Sequence, residues 1–244
     1  MENHQSGFLL IDKPPGLTSH DVVARLRRIT GLRKIGHAGT LDPFATGLLV
    51  VGIGREATKR LGEMSGKYKT YEAVAVLGAS SDTQDLTGKI VPTLTADGQP
   101  VHLPKETAVR EAAAGFLGPI DQIPPMYSAK KINGQKLYDL ARAGQVVERK
   151  PVQVTIHELE ITGYGQVPPR LSFRTTVSAG TYIRTLAHDI GQKLGCGAYL
   201  ETLRRTKSGE YEIEDAVRLE ELTRDNWQNY ILGQKITLAT TPSP

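Results

Sequence analysis

The chain has 244 residues, 39% of them hydrophobic and 23% charged, with a net charge of +4. That composition is ordinary for a globular protein and excludes disorder, collagen-like repeats and coiled coil as descriptions of the whole chain. No window approaches the ~18 consecutive apolar residues of a membrane-spanning helix, and Met1–Gln5 lacks the basic and apolar regions of a secretory signal. A single cysteine, Cys196, allows no disulfide framework, and the six histidines never recur at metal-ligand spacing. The expectation is a cytoplasmic protein with no structural metal. Between His20 and Thr70 ten basic residues face four acids, a net of +6, so the rest of the chain sums to −2. A basic stretch of this kind suits a polyanionic partner or a solvated surface.

In chain order, Gly7–Ile11 reads as a short strand stopped by Asp12-Lys13-Pro14-Pro15-Gly16. Thr18 with Asp21 three residues on forms a capping-box signature. The helix it opens puts Val22, Val23, Leu26 and Ile29 on one face, and Gly31 ends it. Residues 33–46 have no periodicity and read as a loop, Gly47–Ile53 as a strand, and Glu56–Gly62 as a short helix. Tyr71–Leu77 is strand-like. Helices are expected near 105–116 and 136–143, strands over 152–162 and 171–178, and a helix from about Thr181 with Ile183, Leu186, Ile190 and Leu194 as its buried stripe. The chain closes with strand-like 211–213 and helical 216–222. Strands interrupted by separated helices, without regular alternation, point to α+β with a largely antiparallel sheet.

Two nucleotide motifs fail. Gly52–Ala57 fits a loose dinucleotide fingerprint, but the helix after it is too short and Glu72 sits at the wrong end of the next strand. Gly62–Tyr68 has the wrong glycine spacing for a phosphate-binding loop. There is no Gly-x-Ser-x-Gly elbow.

The loop Gly36–Gly47 is more informative. It holds the carboxylate of Asp42 between an apolar residue and a proline, among glycines that permit close approach of a ligand. That suits a fixed nucleophile or base, or a simple Asp-Pro turn. In Ser178–Arg184, Arg184 could keep a carboxylate ionised and Tyr182 could stack on a base or line a pocket. Residues 124–138 interleave basic and aromatic side chains, as looped RNA requires or as a solvated loop allows.

Together these stretches resemble the TruB family of tRNA pseudouridine synthases. The matching pieces are Asp12–Ser19, Gly36–Pro43, Lys69–Glu72, Pro124–Lys130, Gly180–Leu186 and Leu194–Ala198, in the family's order over roughly residues 7–212. The resemblance implies an α+β pseudouridine-synthase fold, with a mixed, mostly antiparallel central sheet flanked by helices. Residues 1–212 would form the catalytic domain. An insertion at about 124–150 would grip the RNA, and 213–244 would be a short tail in place of a full PUA-like domain. The implied activity is isomerisation of uridine 55 in the tRNA T-loop, without cofactor, metal or guide RNA, by a monomer. Asp42 corresponds to the catalytic aspartate, Arg184 to its salt-bridge partner, and Tyr71 to the tyrosine that stacks on the flipped uracil. Tyr182 and Leu203 match pocket residues, and His37 the histidine that holds the flipped-out conformation. Lys13 and Lys130, in matching segments, are assigned to substrate binding. The alternative is an RNA-binding, tRNA-folding chaperone in which catalysis is secondary.

Overall fold

The structure is a computed structural model that describes residues 6–232, apart from Ala129 and Asn133. The chain divides into two compact units, residues 1–67 with 205–244, and residues 68–204.

The first unit begins with β1 (Gly7–Lys13) and α1 (Ser19–Thr30), followed by β2 (Ile35–Ala38), β3 (Thr46–Ile53), α2 (Gly54–Lys59) and α3 (Leu61–Ser65). Both halves of the expected capping box on α1 are present, and Gly31 ends the helix in the left-handed region at φ 72°. β3 pairs antiparallel with β1 and with β2. Phe8, Leu10, Ala38, Leu48, Val50, Ala57 and Met64 form a core cluster.

The second unit opens with β4 (Lys69–Leu77), whose odd positions from Tyr71 to Leu77 are buried. Then come β5 (Ala79–Ser81), β6 (Ile90–Pro92), α4 (Glu106–Ala114), β7 (Gly118–Gln122), β8 (Lys131–Ile132), β9 (Gln135–Lys136) and α5 (Leu137–Arg142). β10 (Val152–Gln166), β11 (Pro169–Val177) and α6 (Ile183–Lys193) follow. The order β4-β11-β10-β7 is antiparallel throughout.

β12 (Ala198–Ser208) starts in the second unit and ends in the first, where β13 (Tyr211–Glu212) and β14 (Val217–Arg218) are the last strands among the described residues. β14 pairs with β1 in parallel, through Ile11 with Val217 and Asp12 with Arg218. Leu219 and Trp227 are buried, and the Leu232 amide donates to the Phe8 carbonyl at 2.8 Å. Mainly antiparallel sheet flanked by helices, with β14 parallel to β1, is the α+β class expected.

Two local expectations are corrected. The loop 33–46 contains β2, and the helix expected over 216–222 is a two-residue strand followed by a 3-10 turn. A strand over 198–208 was not anticipated. There the burial period slips between Leu200 and Leu203, and a buried Arg205 stands where a hydrophobe belongs.

Gly47 offers a direct test of packing. Its φ is 99°, and an added Cβ would meet the Arg205 carbonyl oxygen and, at 2.8 Å, its nitrogen. Gly31, also in the left-handed region, has open space around it. Gly47→Ala is expected to lower unfolding stability by more than ~2 kcal/mol, and Gly31→Ala by ~1 kcal/mol. Urea midpoints check this, and equal losses at the two sites would contradict the packing at Gly47.

Candidate active site

Asp42 sits half-buried in the segment between β2 and β3. Its backbone is held from several sides within the first unit. Lys13, fully buried at the end of β1, donates from Nζ to the carbonyls of Pro14 (2.9 Å), Leu17 (2.7 Å) and Pro43 (3.3 Å). An ammonium has three protons, and each has a carbonyl. The Gly16 amide donates to the same Pro43 carbonyl at 2.8 Å. Buried Ser19 receives the Leu41 amide at 2.9 Å and donates to the Leu41 carbonyl at 3.3 Å. Both neighbours of Asp42 are therefore tied down. Arg205, with no exposed surface, donates from Nε to the Leu48 carbonyl (2.7 Å) and from Nη2 to the Gly39 carbonyl (2.9 Å).

Burial, with the Arg205 charge, pushes Lys13 down to about 8, and the opposite charge of Asp42 pulls the other way. Lys13 therefore remains largely protonated at pH 7. Expected to bind substrate, it places its ammonium on main-chain carbonyls in the interior. His37 on β2 is half-buried and stands edge-to-face with His20 of α1, ring centroids 5.2 Å apart. Its Nδ1 is buried without a hydrogen-bond partner among the described residues. Burial first, then the His20 and Arg205 charges, lowers its pKa to about 4. The ring is neutral at physiological pH.

The remaining expected residues lie in the second unit. Tyr71 is buried on β4, opposite Thr175 of β11. Arg184, in the first turn of α6, is 3% exposed. It donates from Nη1 to the Thr83 carbonyl (2.6 Å) and from Nη2 to the Tyr127 carbonyl (2.8 Å), and Nη1 stands 3.5 Å from Asp85 Oδ2. Buried Asp85 accepts at Oδ1 from the Thr83 hydroxyl (2.8 Å) and the Thr87 amide (2.9 Å). Tyr182 caps α6, and its backbone is gripped at both ends by buried Gln122. The Tyr182 amide donates to Gln122 Oε1 at 2.8 Å, and Gln122 Nε2 donates to the Tyr182 carbonyl at 3.1 Å. Leu203 is buried on β12. Half-buried Lys130 accepts the Leu137 amide at its carbonyl (2.8 Å), which anchors α5.

Among the described residues no group of three or more His, Cys, Asp or Glu side chains converges as a metal site. No helix there is long and apolar enough to cross a membrane.

Residues 27–183 match the model of the TruB family pseudouridylate synthase N-terminal domain, and residues 184–239 that of the tRNA pseudouridylate synthase B C-terminal domain. The chain belongs to the TruB family. Among curated TruB relatives, the tRNA pseudouridine synthase B of Syntrophotalea carbinolica is 49% identical over 215 residues, 88% of this chain and 68% of that protein. That of Thermobifida fusca is 48% identical over 225 residues, covering 90% and 75%. A chain of a solved Cbf5-Nop10-Gar1 complex aligns with a TM-score of 0.68 at 32% identity, over 88% of this chain and 53% of that one. A chain of an H/ACA RNP bound to a substrate RNA containing 2′-deoxyuridine gives 0.65 at 29%, covering 91% and 55%. This chain spans about half the length of those two structural relatives.

Sequence reasoning missed Asp85, Gln122 and Arg205. A signal for Asp85 lay in the polar turn Asp82-Thr83-Gln84-Asp85, where Gln84 adopts φ 63°, the one left-handed non-glycine among the described residues. Nothing local in the sequence marks Gln122 or Arg205 as buried.

His37 should show its environment in titration. A base whose pKa falls on folding destabilises the native state as pH drops, because below 6.5 the unfolded chain takes up a proton that the folded chain refuses until about 4. The His37 ring is expected to titrate near 4 by NMR, and His37→Gln to lose less stability than wild type between pH 6.5 and 4. A midpoint near 6.5 would contradict the burial described.

Proposed function

We propose that this protein converts uridine 55 in the T-loop of tRNA to pseudouridine, with Asp42 as the essential group. The C1′–N1 bond of the nucleotide breaks, a C1′–C5 bond forms, and the proton on C5 is finally replaced by one on N1. Nothing is oxidised and no group is transferred, so the stoichiometry calls for no cofactor. The uracil must leave the stack to expose both atoms and must react away from water. The observation that carries the proposal is the Asp42 loop, in which a carboxylate is presented on backbone that Lys13, Ser19 and Arg205 hold by buried hydrogen bonds. Such fixing suits a group that must meet the base or the sugar C1′ in one geometry.

In this scheme Tyr71 stacks on the flipped uracil and serves as the base for the late proton transfer, and Tyr182 and Leu203 line its pocket. His37, neutral, holds the flipped-out conformation by stacking and shape. Arg184 is the ionic partner that the family resemblance gives to Asp42, and Asp85 is a positioning residue acting through Arg184. Residues 124–150 grip the T-arm, with Lys130 contributing charge. The catalytic region is 1–212, and the enzyme works as a monomer in the cytoplasm on free tRNA, without guide RNA.

Asp42→Asn keeps the shape and removes the charge. It is expected to bind unmodified tRNA transcript within about twofold of wild type while losing turnover by at least ~1,000-fold. Chemical-adduct mass-shift mapping of the T-loop uridine reads the product. Wild-type turnover in that variant would remove Asp42 from the mechanism. Tight binding by wild type with no adduct would instead favour an RNA-binding chaperone.

A further inference from the structure

The first unit also carries an open cavity of about 490 Å³ between the end of α1 and the start of α2, lined in part by Gly31, Arg33, Lys34, Gly54, Arg55 and Glu56. No residue of the Asp42 loop borders it. Its walls are backbone held in place. Gly31, left-handed, turns the chain out of α1 with its amide on the Arg27 carbonyl at 3.0 Å. Gly54, at φ 82°, donates to the Lys34 carbonyl at 2.8 Å, and a Cβ there would strike Ser6. The Ser6 hydroxyl accepts the Ala57 amide at 3.1 Å, so the Gly54 and Ala57 amides at the amino end of α2 are already engaged, and the side chains carry the recognition.

Those side chains are cationic. Arg33, Lys34 and Arg55 are exposed, and among the described residues none of them has an acidic partner. Glu56 on the rim is held by Lys59 at 3.0 Å, and Asp21 nearby in sequence is consumed by the Thr18 cap. Arg25 and Arg28, one turn apart and exposed on α1, extend the positive charge. A preformed concavity ringed by unneutralised cations, with no aromatic platform, fits phosphates better than bases.

We propose that this cavity seats the phosphodiester backbone of the RNA substrate at a segment other than the reacting uridine, and so positions the RNA without reading its sequence. The proposal rests on the reading of the protein as a tRNA-modifying enzyme.

The test is binding of an unmodified tRNA transcript between 50 and 200 mM KCl (concentrations of the order at which phosphate contacts dominate). Wild type is compared with R33A/K34A/R55A, with R55A alone, and with K89A/K105A/R174A, which removes three exposed cations from the second unit. The cavity triple variant is expected to lose about tenfold in affinity at 100 mM salt. Its plot of log affinity against log salt should be shallower by about 2 to 3, and that of R55A by about 1. The control triple should keep close to the wild-type slope. A wild-type slope in the cavity variant, or an equal loss in the control, overturns the proposal. Wild-type pseudouridine formation is measured in the same preparations. Its absence removes the tRNA-modification reading itself, whereas slopes alone failing removes only the cavity.

Discussion

Two buried cations govern the geometry of the Asp42 loop. Taking an ammonium or guanidinium out of water costs several kcal/mol even after relaxation, and an apolar replacement of similar size is often neutral or stabilising. Lys13 and Arg205 must therefore contribute something other than bulk stability. Their hydrogen bonds run to main-chain carbonyls at Pro14, Leu17, Gly39, Pro43 and Leu48, which are the residues that set where Asp42 can stand. The Arg205 charge also opposes a proton on His37, after burial and the His20 charge. The pair thus shapes the loop, and its arginine also contributes to keeping the neighbouring imidazole neutral.

The second unit solves a similar problem around Arg184. Its 3.5 Å separation from Asp85 is too long for a strong charge-assisted hydrogen bond, whereas the Thr83 and Tyr127 carbonyls lie at 2.6 and 2.8 Å. The carbonyls orient the guanidinium, and the carboxylate supplies compensating charge. The Thr83 carbonyl immediately precedes Gln84, whose left-handed backbone turns the chain there. The side chain of Gln84 is in turn tied to Thr185 of α6 at 2.8 Å. With Gln122 gripping Tyr182, the start of α6 is fixed by amide and carbonyl contacts from three separate segments.

Much of this was legible in the sequence where one residue type carries the signal. The Thr18–Asp21 cap, the Gly31 stop and the alternation of Tyr71–Leu77 each rest on a local rule, and the α+β class follows from their order. β2 was hidden because Gly36 and His37 interrupt its alternation, although β3 supplies it with a full set of partners. β12 was hidden because its pattern contains buried Arg205, which no hydrophobic period predicts. The candidate site divides the same way. Asp42 stood out by its Gly and Pro neighbours, which constrain the backbone locally. Asp85 matters through Arg184, 99 residues further along the chain, and Gln122 through Tyr182, 60 residues further, and only the fold brings those together.

The segment after Glu212 belongs to the same argument. β1 carries Lys13 at its end, and a strand with a free edge would let that end fray. β3 covers one edge of β1 along its whole length, from Gly7 to Lys13. On the other edge β14 pairs at Ile11 and Asp12, directly before the lysine, and Leu9 bridges to Ile231 nearer the start. Leu219, Leu222, Trp227 and Ile231 are buried, so this segment contributes apolar area as well as hydrogen bonds. Residues 213–232 are therefore a structural part of the first unit: they secure the strand whose last side chain clamps the loop of Asp42.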